Sequence, residues 1–212
     1  HINNRIQCFV YVSSAKLNQH IMEGSFAEGL KLKDGIEKQL DEFSQYLDRH
    51  RILVFNYKIA MMYFGHGNYG RSIDYLHKII NDNNTDLRTD LQCYARVLHL
   101  MAHYELGNYE LVEHLTRSVY RFMAKMENLT VIEEAMFKFL RNNFYVPAKK
   151  LQPAFEGFLQ TIKQFEKSRF QTRSFAYLDI ISWVESKVNN KPMSTIIRNK
   201  YLHSKRANIG QF

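Results

Sequence analysis

The stretch "YFGHGNYGRSIDYL", Tyr63 to Leu76, places an apolar, helix-like segment on either side of Gly67-Asn68-Tyr69. Further along, "YELGNYELVEHL", Tyr104 to Leu115, repeats the arrangement around Gly107-Asn108-Tyr109. A turn used twice is either a ligand loop or a hinge, and the flanking residues favour the hinge. Gly67 and Gly107 can end a helix in the left-handed conformation that glycine tolerates. Asn68 and Asn108 can cap the next helix with a side-chain oxygen, and Tyr69 and Tyr109 then wedge between the two helices. "GHGNYG", residues 65 to 70, has the spacing Gly-x-Gly-x-x-Gly. It follows a helix-like segment instead of a strand, so the dinucleotide-loop reading fails on context.

Outward from these corners, apolar residues recur at helical spacing along nearly the whole chain. "IQCFVYVSSAKLNQHIM" predicts a first helix. Ser25 is the expected N-cap of a single second helix, "FAEGLKLKDGIEKQLDEFSQYL", whose Phe26, Leu30, Ile36, Leu40, Phe43 and Leu47 form one stripe. Gly29 and Gly35 either weaken that helix or let a neighbour approach closely. "ILVFNYKIAMMYF" and "YGRSIDYLHKII" flank the first corner, and "LQCYARVLHLMAHYEL" and "YELVEHLTRSVYRFMAKM" flank the second. Thr130 and Glu133 form a capping box for "VIEEAMFKFLRNNF". Pro147 ends that helix, and Pro153 suits the first turn of "AFEGFLQTIKQFEKS". "FAYLDIISWVESKV" runs to Asn189-Asn190-Lys191-Pro192, and Ser194 caps a last helix, "STIIRNKYLHS". No segment alternates with a period of two. The expected fold class is all-α, with about ten helices joined by short loops that make sequential helices antiparallel neighbours.

In register, Phe26, Tyr69 and Tyr109 are 43 and 40 residues apart. A period of that size in helix pairs signals an α-solenoid, because each pair exposes an apolar face that only stacking can bury. These residues resemble the tetratricopeptide repeat (TPR). The likeness rests on small Ala60, Tyr63, Gly67-Asn68-Tyr69, small Ser72, and Leu76 and Ile79 at core positions. The second pair keeps Gly107-Asn108-Tyr109 but has Leu100 and Val112 for small residues and His103 for Tyr. The first keeps Gly24, Phe26 and Gly29. "SFAYLDIISWVESKVNNKPMSTIIRNKY" resembles the C-terminal end of large TPR-like proteins of Bacteroidetes-type bacteria. The resemblance implies one TPR-like domain over residues 1–212, a right-handed superhelix. Its helix pairs are expected at about 1–47, 50–82, 87–126 and 130–167, with capping helices at 170–204. It also implies that the first helix of each pair lines a concave groove. Tyr57, Met61, Phe64, Val97, Met101 and Tyr104 stand at the groove-facing register, where aromatic and Met side chains can grip a peptide or partner protein.

Composition bounds the rest. Apolar content of 45% and charged content of 24% are those of a soluble globular protein, and 13 Tyr with 15 Phe predict a ring-rich core. No apolar run approaches the roughly 18 residues of a membrane span, and no signal peptide stands at the start. The expectation is a cytoplasmic protein away from the membrane. His1 in place of Met fits a piece of a longer bacterial array. Cys8 and Cys93 are expected to be buried free thiols, as in a reducing compartment.

The net charge of +8 is uneven: residues 1–140 hold 16 Lys+Arg against 17 Asp+Glu, and residues 141–212 hold 13 against 4. Lys163, Lys167, Arg169 and Arg173 form a basic patch, which offers an alternative function as a regulatory module touching nucleic acid or an acidic partner. Single-stranded binding would also need exposed rings, whereas Phe165, Phe170 and Phe175 fall at core spacing. His99 and His103 have the i, i+4 spacing of a metal pair, with His114 on the next helix as a third candidate. They fall on the core-facing side, so buried histidines bonded to neighbours are expected, with no metal and no cofactor. Glu133 and Glu134 are adjacent and point apart on a helix, so they cannot work as a paired acid and base. No phosphate loop, nucleophile elbow or zinc-protease motif is present. The reading is a non-catalytic protein-interaction scaffold.

Overall fold

The computed structural model describes residues 2–82, 88–146, 148–166 and 178–204, and every regular element among them is helical. The elements are α1 (Ile2–Glu23), α2 (Phe26–Leu30), α3 (Lys33–Glu42), α4 (Arg49–Gly65), α5 (Tyr69–Ile80), α6 (Thr89–Glu105), α7 (Tyr109–Lys125), α8 (Val131–Asn143), α9 (Ala148–Lys163), α10 (Ile180–Val188) and α11 (Met193–Leu202). Each of α4 to α9 packs on the next element in sequence as far as α8 on α9, α9 packs on α10 and α10 on α11, and α4 also reaches α6. Among the described residues no helix is long and apolar enough to cross a membrane.

The two Gly-Asn-Tyr corners share their glycine and differ beyond it. Gly67 and Gly107 both adopt left-handed backbone, with φ of 86° and 74°. Asn68 Oδ1 accepts from the Arg71 N–H at 3.2 Å, a true N-cap. Asn108 makes no such bond; its Nδ2 lies 3.0 Å from His103 Nδ1 on the preceding helix. Tyr69 is half-buried with its ring edge-on to Phe64. Tyr109 is 49% exposed, so it does not wedge between its helices and only its ring edge meets Tyr104. Asn68→Ala is therefore expected to cost about 1 kcal/mol and Asn108→Ala only a few tenths; urea unfolding of the two variants side by side checks this.

Small residues at the first hairpin act as expected. Ala60 and Ser72 are wholly buried, and the Ser72 hydroxyl donates to the Ala60 carbonyl at 2.9 Å, closing α4 onto α5. Leu76 and Ile79 beside them are equally buried. The Thr130–Glu133 capping box starts α8.

Five local expectations are corrected. The long second helix is two: i→i+3 bonds from Lys31 and Leu32 close α2, and α3 restarts from the Leu32 carbonyl. The break lets Gly29 press on α4, where a Cβ would sit 2.7 Å from Met62 Sδ, while Ile36 and Leu40 join Met62 and Phe26 in one core. No neighbour stands within 4 Å of a Cβ at Gly35. Ser25 holds the N-cap position of α2 without capping, because its hydroxyl bonds His20 Nδ1 at 2.8 Å. Pro153 lies inside α9, which begins directly after Pro147. Pro192, not Ser194, precedes α11, and its carbonyl takes the first bonds. Cys93 is buried as expected, but Cys8 is exposed on α1.

Two cores flank α4. One face, with Leu53, Tyr57, Ala60 and Phe64, joins the large core that runs through α5 to α10. The other, with Phe55 and Met62, joins Ile6, Phe9, Phe26, Ile36, Leu40 and Ile197. A helix apolar all round has to be buried on both sides. The last helix, α11, packs back on α1, whereas units of an open solenoid touch only their neighbours.

Candidate functional site

The six expected groove residues do not form an open surface. Tyr57, Met61, Phe64, Val97 and Met101 are buried, and Tyr104 is half-buried with its ring edge-on to Tyr109, Phe155 and Trp183. The physical reason is that α4 and α6 have neighbours on both sides, so the register that would face a groove faces other helices. Met61 and Phe64 alone reach a large opening: they line a cleft of about 490 Å³ bounded by α1, α2, α4 and α11.

That cleft is mostly apolar. Ile21 and Met22 form one wall, Met61 and Phe64 the floor, and Met193 and Ile197 the opposite wall. Its polar groups are committed elsewhere. Asp179 caps α10 through the Ser182 N–H at 2.9 Å, and Lys200 bonds Glu166 at 2.8 Å and Ser182 at 2.9 Å. Burial alone would lower the Lys200 ammonium, but Asp179, Glu166 and Glu185 outweigh it and hold its pKa above the ordinary value.

On the other side of Ile21 and Met22 lies a second cleft of about 420 Å³ between α1 and α4. Its polar lining among the described residues is Ser14, Asn18, His50, Arg51, Lys58 and Arg88, without a carboxylate among them. Lys58 donates to the Ser14 hydroxyl, and burial alone pushes its ammonium down to about 8. Arg88 forks onto Asp90 at 2.7 and 2.8 Å and also donates to His50 Nε2 at 3.1 Å. A guanidinium can only donate, so His50 Nε2 accepts and its proton sits on Nδ1. That Nδ1 is buried with no partner.

His99 and His103 are joined by His77 of α5, not by His114. His99 Nε2 lies 3.1 Å from His77 Nε2 and 3.2 Å from His103 Nε2, a chain of three rings across the α5–α6 contact. His114 instead sits beside Arg117. Among the described residues no group of three or more His, Cys, Asp or Glu is arranged to hold a metal ion. Burial is the main cause that pushes the His99 pKa down to about 3, with His103, His77 and Arg96 adding positive charge nearby.

Of the basic patch, Lys167, Arg169 and Arg173 lie outside the described residues. Lys163 pairs with Glu166 at 2.8 Å and with Glu185, and Lys200 bridges the same two carboxylates. The four charges cancel, so Lys163 is committed to carboxylates of its own chain at the surface.

Lys58, His50 and Arg88 were absent from the sequence-derived candidates. The available signal was Lys58 itself, the one charge in "ILVFNYKIAMMYF", in a helix that packs against a core on each of two sides. No protein-family model, no curated protein and no solved structure matches the chain.

Proposed function

We propose that this chain is a non-catalytic protein-binding module, a TPR-like stack of helical hairpins that receives the apolar face of a partner's amphipathic helix. The observation that carries the reading is the apolar cleft between α1 and α11, to which Met61 and Phe64 contribute. Its methionines, Met22, Met61 and Met193, are adaptable side chains suited to gripping a helix in a groove. Its charged groups are already paired, so recognition rests on apolar area. The left-handed glycine corners and the Ala60–Ser72 contact support the TPR-like hairpin, and the return of α11 onto α1 makes one end of the stack its binding face.

Site-specific cross-linking from position 22 tests the reading in the host cell, with position 145, on the 83% exposed Tyr145, as control. The expected result is one protein captured from position 22 and not from 145, with capture lost in a Met193→Glu variant. Equal capture from both positions, or capture indifferent to Met193→Glu, would show that the cleft is not the binding face.

A further inference from the structure

The cleft around Lys58 shares the Ile21–Met22 wall with the proposed helix-binding cleft and has a different chemistry. Lys58 lies on the third turn of α4, half-buried beside the two cores that flank the helix. A buried ammonium is costly unless paired, and the only polar partner of Lys58 among the described residues is the neutral Ser14 hydroxyl. The other cations of the cleft are matched. Arg51 pairs with Asp48 at 3.1 Å and Arg88 with Asp90, so the uncompensated charge is that of Lys58.

Three further features converge on the same space. His50 presents a buried, unpaired Nδ1–H, a second donor without an acceptor. Arg88, which fixes the His50 tautomer, holds a left-handed backbone with φ of 57°. That conformation is unfavourable for a non-glycine residue and tends to persist where a site requires it. Val10, Val54 and Phe55 give the cleft an apolar side beside its donors.

We propose that this cleft binds a small organic oxyanion, a phosphomonoester or carboxylate with a compact apolar body, whose oxygens pair with Lys58 and whose body lies against Val54 and Phe55. The anion supplies a charge that Lys58 lacks among the described residues, where its one acceptor is the neutral Ser14 hydroxyl, and His50 Nδ1 gains an acceptor. The volume suits a ligand of roughly a single ring and its charged group.

Isothermal titration of the full chain with phenyl phosphate, phenylacetate, inorganic phosphate and neutral benzyl alcohol, at constant ionic strength, tests this. The phosphate and carboxylate arms distinguish which oxyanion is preferred, and the inorganic ion and the alcohol separate charge from apolar contact. At least one of the two aromatic anions is expected to bind saturably, and more tightly than either inorganic phosphate or the alcohol. Lys58→Met is expected to weaken that binding about tenfold or more. It also removes a half-buried ammonium that burial disfavours, so the variant is expected to melt no lower than the wild type, and lost binding cannot then be lost folding. Binding should fade as the pH rises through 8. The groups facing Lys58 are Ser14 and Asn18 of α1, His50 and Arg51 of α4, and Arg88 ahead of α6. Neither the arginines nor a neutral histidine loses charge there, so the fading reports Lys58. Absence of saturable binding by both aromatic anions, an unchanged dissociation constant in a folded Lys58→Met, or pH-independent affinity from 7 to 9.5 would each overturn the proposal. None of these outcomes bears on the helix-binding face, whose test turns on Met193, a residue that lines the apolar cleft and not this one.

Discussion

Acidification from pH 7 to pH 4 is expected to cost the fold about 3 kcal/mol through His99 alone. The imidazole is buried in the α5–α6 contact, and burial, with His103, His77 and Arg96 around it, holds its pKa near 3. In the unfolded chain the same ring titrates near its ordinary value of about 6.5. Between those two values the unfolded state carries a proton that the folded state refuses. Stability therefore falls as the pH drops below about 6.5, by about 1.4 kcal/mol per unit, and levels off only near the folded value. Carboxylates titrate over part of the same range, so the measurement is a difference. Urea unfolding of wild type and His99→Gln at pH 7, 6, 5 and 4 should give curves that converge or cross, the wild type losing about 3 kcal/mol relative to the variant. Parallel curves would show that His99 is not held neutral by the packing. His103, whose pKa is also lowered by burial and then by His77, keeps titrating in both proteins and cancels.

The histidine chain shows where sequence reasoning stops. Spacing along one helix exposed His99 and His103, because i, i+4 residues share a face. It could not supply His77, which arrives on α5 through the packing of a hairpin. The hairpin corners were legible because glycine at positive φ is a local requirement, and Gly67 and Gly107 meet it. Caps were less so. Asn68 caps and Asn108 does not, because His103 stands within reach of the second amide and competes for it. The groove residues fell for a topological reason. Their register was set by an open array, and whether a face stays open depends on what folds back over it. The apolar pattern of α4, continuous around the helix, already implied burial on two sides, and Lys58 within it was the residue that did not fit. Met61 and Phe64 still reach a cleft because they sit toward the end of α4, where α11 returns beside α1.

That return rests on Gly24, and Gly24→Ala is expected to destabilise the protein by about 2–4 kcal/mol. Two costs combine. Gly24 has φ of 69°, which alanine adopts at about 1 kcal/mol. A Cβ there would also lie 2.6 Å from the Ser194 carbonyl oxygen, 3.0 Å from the Arg198 nitrogen and 3.2 Å from Ile197 Cβ. Two of those three atoms are backbone, so a rotamer change cannot relieve the contact and α11 has to move away from α1. Gly67→Ala is the matched control, since its φ of 86° carries the same strain with nothing within 4 Å of the added carbon. Urea unfolding of the pair separates strain from collision. Gly67→Ala should lose about 1 kcal/mol and Gly24→Ala clearly more. Equal losses would mean that α11 yields freely and that the end of the stack is not closed by backbone packing. The same displacement should move Met193 and Ile197 relative to Ile21 and Met22, the facing walls of the apolar cleft. Cross-linking from position 22 should therefore weaken in Gly24→Ala and persist in Gly67→Ala, tying the partner-binding face to the glycine that lets the last helix reach the first.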